Sequence, residues 1–126
     1  MIKEYKEMTF NEYQKQAMTT CMKSCHNDAY MLLNLAAEVG ELTGKVAKVL
    51  RHGEAWFEKD GNISYRVSEW NEYEKGLMGE AGDVLWELAG FCSIMGWSLN
   101  DVAQANLDKL ASRAKRGVID GNGDFR

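Results

Sequence analysis

No proline occurs anywhere in the 126 residues of this chain, where an average composition would hold about 5%. Proline stops or kinks a helix, because it lacks the amide N–H and its ring clashes with the preceding turn. Without it nothing interrupts long helices, and the chain reads as helical nearly throughout. A chain of this length ordinarily forms one domain, here residues 1–126. It can bury a core but is small enough to gain from association with further copies.

Local signals divide the chain into four helices. "TFNE" at 9–12 has the form of a capping box, with Thr9 as N-cap and Glu12 reaching back. Phe10, Tyr13, Ala17, Cys21 and Ser24 continue at helical spacing. Asn27 or Asp28 caps a second helix running to about His52, with Ala29, Leu32, Leu33, Ala36, Val39, Val46 and Leu50 among its apolar positions. Gly53 ends it. In "EAWFEKDGNISYRV", residues 54–67, the "DGN" lies between "WFEK" and "ISYRV", which allows a short hairpin or an ordered loop. Ser68 is the expected N-cap of a third helix reaching about Gly96. Ser98 caps a fourth that ends near Arg116, with Asp101 in its first turn favouring the helix dipole. The fold expected is all-α: a four-helix bundle with a hairpin or loop insertion between its second and third helices.

The net charge of −4 excludes broad binding to nucleic acid or to an anionic membrane, since both need a cationic surface. No apolar run reaches the roughly 18 residues needed to span a bilayer. "MIKEYKEMTF" lacks the apolar core of a signal peptide, so a cytoplasmic location is expected. Cys21, Cys25 and Cys92 are an odd set, which fits reduced thiols better than a disulfide framework. A zinc reading of "CMKSCH" would need four ligands, with His26 and His52 the available histidines, and free thiols are the preferred reading.

The chemistry-bearing feature is a repeated oddity. "AEVGEL" puts Glu38 and Glu41 on one face of the second helix, and "GEAGDV" puts Glu80 and Asp83 on one face of the third. Like charges at that spacing repel. Each pair sits among apolar residues and beside glycine: Gly40 and Gly44 at one, Gly79 and Gly82 at the other. Glycine inside a helix costs about 0.5–1 kcal/mol relative to alanine, and close approach of a second backbone would offset that cost. The simplest geometry packs the two helices together with all four carboxylates converging. Four such groups cannot all stay ionised without cations. A hard divalent ion with oxygen ligands, Mg2+ first and Mn2+ as its substitute, is the natural counterion. Mg2+ held this way keeps open positions and works with phosphates. The alternative is that both pairs are solvated faces of amphipathic helices. A di-iron site is disfavoured because no histidine follows either pair at Glu-x-x-His spacing.

The face continues beyond the acids. Glu38, Glu41, Lys45 and Lys48 share it, and on the fourth helix Asn106, Lys109, Arg113 and Arg116 have the same spacing. Cationic stripes leading from an acidic centre suit a polyphosphate; the alternative is solvation, or pairing with helix C-termini. "DGNGD" at 120–124 could begin an EF-hand loop, but the required glutamate at its twelfth position would lie past Arg126. The tail carrying Asp124 and Arg126 is instead expected to fold over a bound nucleotide, loose without it. Trp86, three residues beyond Asp83, could line a base pocket, although tryptophans more often belong to the core.

"EVGE", "EAGD" and "NLDKLASR", in this order on three successive helices, resemble the all-α NTP pyrophosphohydrolases: MazG and its relatives, including dimeric dUTPases and dCTP pyrophosphatases. The resemblance spans roughly residues 8–126, and the ending "RGVIDGNGDFR" looks like that of small MazG-like proteins of bacteria and phages. It implies a Mg2+-dependent hydrolysis of a nucleoside triphosphate to the monophosphate and pyrophosphate. It places Glu38, Glu41, Glu80 and Asp83 as metal ligands, and Asn106 and Lys109 as nucleotide contacts. It implies a homodimer or tetramer with the site near a subunit interface. Two departures stand out. Many relatives carry a double glutamate where this chain has Ala37, a place that Glu87 could fill from the third helix. Also, 38 residues separate Glu41 from Glu80, longer than is common. The alternatives are a phosphoribosyl-ATP pyrophosphohydrolase and a non-catalytic helical module that binds a cation or a basic partner.

Overall fold

The chain's own capping residues set most helix boundaries in the computed structural model, which describes residues 4–124. Thr9 opens α1 (Phe10–Met18): its hydroxyl accepts from the Glu12 amide at 3.1 Å, and the Glu12 carboxylate accepts from the Thr9 amide at 2.6 Å. Asn27 opens α2 (Asp28–Arg51) by accepting from the Tyr30 amide at 2.8 Å. Ser98 opens α4 (Leu99–Arg116) by accepting from the Asp101 amide at 3.0 Å. Gly117 ends α4 at a φ of 70°, a left-handed conformation that glycine adopts without steric cost. Between α2 and α3 (Trp70–Ile94), β1 (Ala55–Phe57) and β2 (Ile63–Tyr65) pair antiparallel with Trp56 opposite Ser64. Of the two readings open for residues 54–67, the chain adopts the hairpin.

Two boundaries differ from the sequence expectation. α1 stops at Met18 instead of running on towards Ser24. Thr19 and Thr20 turn their hydroxyls back onto the carbonyls of Gln16 and Ala17, at 2.6 and 2.7 Å, and such local bonds compete with helix continuation. A single 3-10 turn, Lys23–Cys25, then leads to α2. At the other boundary, α3 begins after Glu69, which makes no side-chain cap bond. Its first turn is anchored by packing instead. The rings of Tyr65, Trp70 and Tyr73 have centroids 5.4 to 5.8 Å apart, and each such pair contributes about 0.5–1.5 kcal/mol beyond its burial.

α2 and α3 form the main packed pair. Met31 lies against Gly90, Asn34 meets Glu87, Lys45 meets Glu80, and the Tyr73 hydroxyl reaches the Lys45 carbonyl. The numbers rise along one helix as they fall along the other, so the two run antiparallel. α1 lies on α3, and α4 attaches through α1. The junction is a buried glutamine. Gln14 donates to the Ser93 hydroxyl at 3.0 Å and the Trp97 carbonyl at 2.9 Å, and accepts from the Leu99 amide at 2.8 Å. Around it Ala89, Cys92 and Leu99 form a small core covered by Tyr13 and Met18. Gln14→Ala strands these buried groups and is expected to cost about 2 kcal/mol. In a chain of this size that lowers the thermal midpoint by roughly 8 °C, and an unchanged midpoint would show the network to be dispensable.

Much apolar surface lies outside that core. Leu33 is 76% exposed, and Leu32, Met78, Leu107, Leu110 and Ile119 are open as well. The three cysteines are free thiols. No helix among the described residues is long and apolar enough to cross a membrane.

Candidate metal centre

Helical spacing puts Asn34, Glu38, Glu41 and Lys45 along one side of α2, and Glu80, Asp83 and Glu87 along one side of α3. Antiparallel packing turns these sides towards each other. Carboxylate oxygens of Glu38, Glu80 and Asp83 lie within 4.8 Å of one another. Oxygens bound to one Mg2+ sit about 2.1 Å from it and so at most about 4.2 Å apart, a little less than the 4.8 Å limit within which this set lies. The donors are all hard oxygens, as Mg2+ or Mn2+ requires.

The acids of the cluster act on one another electrostatically. The Glu38 carboxyl is pushed above its ordinary value, first by its desolvation and then by the charges of Asp83, Glu80 and Glu87; a hydrogen bond from Asn34 opposes this. Lys45 places Nζ 3.7 Å from Glu80 Oε1 at the rim, a half-exposed contact of the kind that contributes under about 1 kcal/mol.

The structure does not draw in all that the sequence led us to expect. Glu41 is exposed and stands outside the three-carboxylate group. The flanking glycines do not serve close helix packing, because a Cβ at Gly40, Gly44, Gly79 or Gly82 would meet nothing within 4 Å. The close approach is elsewhere: a Cβ at Gly90 would collide with the Met31 thioether, and one at Gly76 would lie 3.4 Å from Lys45 Nζ. Trp86 is half-buried against α1, its indole N–H donating to the Ala17 carbonyl at 3.1 Å and the Thr20 hydroxyl at 3.0 Å. An open hollow of about 440 Å³ beside α1, lined by Asn11, Lys15, Cys21 and His26 among others, contains none of the acids.

The basic residues are also set apart. Lys48 is exposed. Asn106, Lys109 and Arg113 lie on α4, and among the described residues none of these four bonds to the acidic cluster. Lys109 instead pairs with Asp124 at 3.4 Å, and Arg113 Nη2 donates to the Gly123 carbonyl at 3.2 Å, the Asp124 carbonyl at 3.0 Å and the Asp124 carboxylate at 3.5 Å. Lys109 first, and then Arg113, hold the Asp124 carboxyl below its usual range. The tail expected to be loose without nucleotide is therefore strapped along α4. Arg126 lies outside the described residues.

Sequence reasoning missed Asn34. Its Nδ2 donates both to Glu38 Oε1, at 3.4 Å, and to Oε1 of the buried Glu87. The signal was present in the sequence: Asn34 is one helical turn before Glu38, and Glu87 is a lone acid inside the apolar run "LWELAG".

The segment that builds this site, residues 27–118, matches the MazG nucleotide pyrophosphohydrolase domain. The chain belongs to this family. The MazG match takes in α2, the hairpin, α3 and α4, and so includes every candidate residue from Glu38 to Arg113. The chain is also similar to the Gene 37 protein of Mycobacterium phage L5, 40% identical over 98 residues that cover 78% of this chain and 75% of that one. No solved structure matches the chain significantly. In this MazG domain α1 precedes the matched segment, and the Gln14 junction ties it to α3 and α4.

Proposed function

We propose that the chain is a divalent-cation-dependent nucleoside triphosphate pyrophosphohydrolase, releasing a nucleoside monophosphate and pyrophosphate from NTPs or dNTPs. The observation that carries this reading is the convergence of Glu38, Glu80 and Asp83 from two helices inside the MazG segment. These three would hold Mg2+, or Mn2+ in its place, with Glu41 as a fourth carboxylate one turn along α2. The bound ion would supply a more acidic water and neutralise phosphate charge. Lys45, at the rim beside Glu80, and Lys48 beyond it would bind the outer phosphates.

The α4 residues enter this reading through a second copy of the chain. Among the described residues Asn106, Lys109 and Arg113 bond to none of the clustered acids Glu38, Glu80 and Asp83 of their own chain, and the exposed leucines of α2 and α4 leave an apolar surface of the kind that subunits bury. A homodimer, or a dimer of dimers, would cover that surface and present α4 cations to a neighbouring cluster. The tail, with Asp124 and Arg126, would exchange its α4 contacts for nucleotide, and Trp86 would border the base. The working place of such an enzyme is the cytoplasm, the whole chain acting as one domain.

The test is pyrophosphate release from a panel of NTPs, dNTPs and phosphoribosyl-ATP, with and without Mg2+. Stoichiometric pyrophosphate and monophosphate, abolished by chelator, are expected. Release of orthophosphate, or no turnover of any nucleotide, would refute the proposal and favour a non-catalytic cation-binding module. Sedimentation at micromolar concentration is expected to show a dimer or tetramer; monomer alone would contradict the shared site.

A further inference from the structure

Glu87 is 3% exposed, and its Oε2 has no hydrogen-bond partner among the described residues. No lysine or arginine pairs with it there. Burying a carboxylate on these terms opposes folding, and an apolar side chain of similar size would pack in its place without that penalty. Stability therefore does not account for an acid at this point of α3. Its one bond does. Glu87 Oε1 accepts from Asn34 Nδ2, and the same nitrogen donates to Glu38 Oε1 at 3.4 Å. Glu87 Oε1 is the acceptor in that bond, which turns the donor end of the Asn34 amide towards the acids. With the donor end turned that way, Asn34 holds the Glu38 carboxylate in a fixed orientation beside Glu80 and Asp83.

We propose that Asn34 and Glu87 act in series as positioning residues for Glu38, so that this chain's cation affinity depends on two side chains that are not themselves ligands. The inference rests on the reading of Glu38, Glu80 and Asp83 as a cation site. Outer residues that orient metal ligands typically govern affinity by 10- to 100-fold.

The experiment is titration of the full-length chain with Mn2+ alone, without nucleotide, following free Mn2+ by electron paramagnetic resonance, alongside thermal melts in metal-free buffer. Asn34→Ala and Glu87→Leu are each expected to weaken Mn2+ binding by about tenfold. Glu87→Leu should melt no lower than wild type without metal, which a merely structural role would not allow. Glu87→Gln keeps an oxygen acceptor for Asn34 and should stay within about threefold of wild type. The double variant Asn34→Ala/Glu87→Leu should bind no more weakly than either single one, since the two act through one bond. Unchanged affinity in Asn34→Ala, multiplying effects in the double variant, or a Glu87→Gln as weak as Glu87→Leu would each overturn the relay. Should Glu87→Leu fail to fold, Asn34→Ala and Glu87→Gln decide the matter, the metal-free melts showing that each is folded before its Mn2+ affinity is read, since Asn34→Ala leaves the buried Glu87 without its partner. Mn2+ binding by wild type with no change in Asn34→Ala defeats the relay alone, whereas no Mn2+ binding by wild type defeats the metal reading and the relay together.

Discussion

Asp83→Ala is expected to lower kcat/KM by about a thousandfold or more, roughly 4 kcal/mol of transition-state stabilisation, while leaving the helices intact. Asp83 contributes an oxygen to the three-carboxylate group and is the foremost of the charges that push Glu38 upward. Its removal should therefore also relieve the metal-free chain. A carboxyl whose folded pKa is raised holds its proton more tightly folded than unfolded. Its penalty on folding is absent below its ordinary value of 4.5, grows as pH rises through that value, and is complete above the raised one. Metal-free wild type should accordingly lose stability between mildly acidic and neutral pH by more than Asp83→Ala does, and Mg2+ should restore it at neutral pH. Thermal melts across that range, with chelator and with Mg2+, read the effect. Near-wild-type turnover of the variant at saturating substrate would remove Asp83 from the site.

Gly90→Val is expected to be the most damaging single change to the fold, at about 3 kcal/mol. Met31 is wholly buried, and its thioether fills the space that a Cβ at position 90 would need. A valine brings two further methyl groups and little helix propensity to offset the collision. Met31→Ala opens that space, so the double variant Gly90→Val/Met31→Ala should be less destabilised than the two single losses added together. Denaturant midpoints of the four proteins measure this. Simple additivity would show that Met31 yields without strain.

What the sequence made legible was local. Thr9, Asn27 and Ser98 each cap a helix through a hydroxyl or amide a few residues from its partner, and "DGN" marks a turn by its own backbone preferences. The start of α3 was misread at Ser68 because rings from β2 and α3 anchor it in place of a cap, and no helix-start rule includes them. The end of α1 was hidden in the choice of Thr19 and Thr20 to bond backwards. At the site, helical spacing brought Glu38, Glu80 and Asp83 together as read. It could not separate Glu41 from them, since sharing a helix side does not fix which carboxylate faces the neighbouring helix. The glycines beside the acids looked like packing devices, yet the packing glycine is Gly90, whose partner is set by the register between α2 and α3. Asn34 was invisible because an asparagine in a helix has no meaning until the side chain opposite is known.

The Gln14 junction has a bearing on the order in which the chain assembles. α2, the hairpin and α3 follow one another directly in the chain and can close on themselves early. Gln14 instead bonds to residues 79 to 85 positions away, and the entropy of closing so long a loop must be met before those bonds form. Docking of α1 onto α3, with α4 fixed at the same joint, is thus the late step of folding. Pulse-labelled hydrogen exchange should find the amides of α2 and α3 protected before those of α1. A substitution at Gln14 should then speed unfolding while leaving the refolding rate nearly unchanged, the signature of contacts made after the transition state.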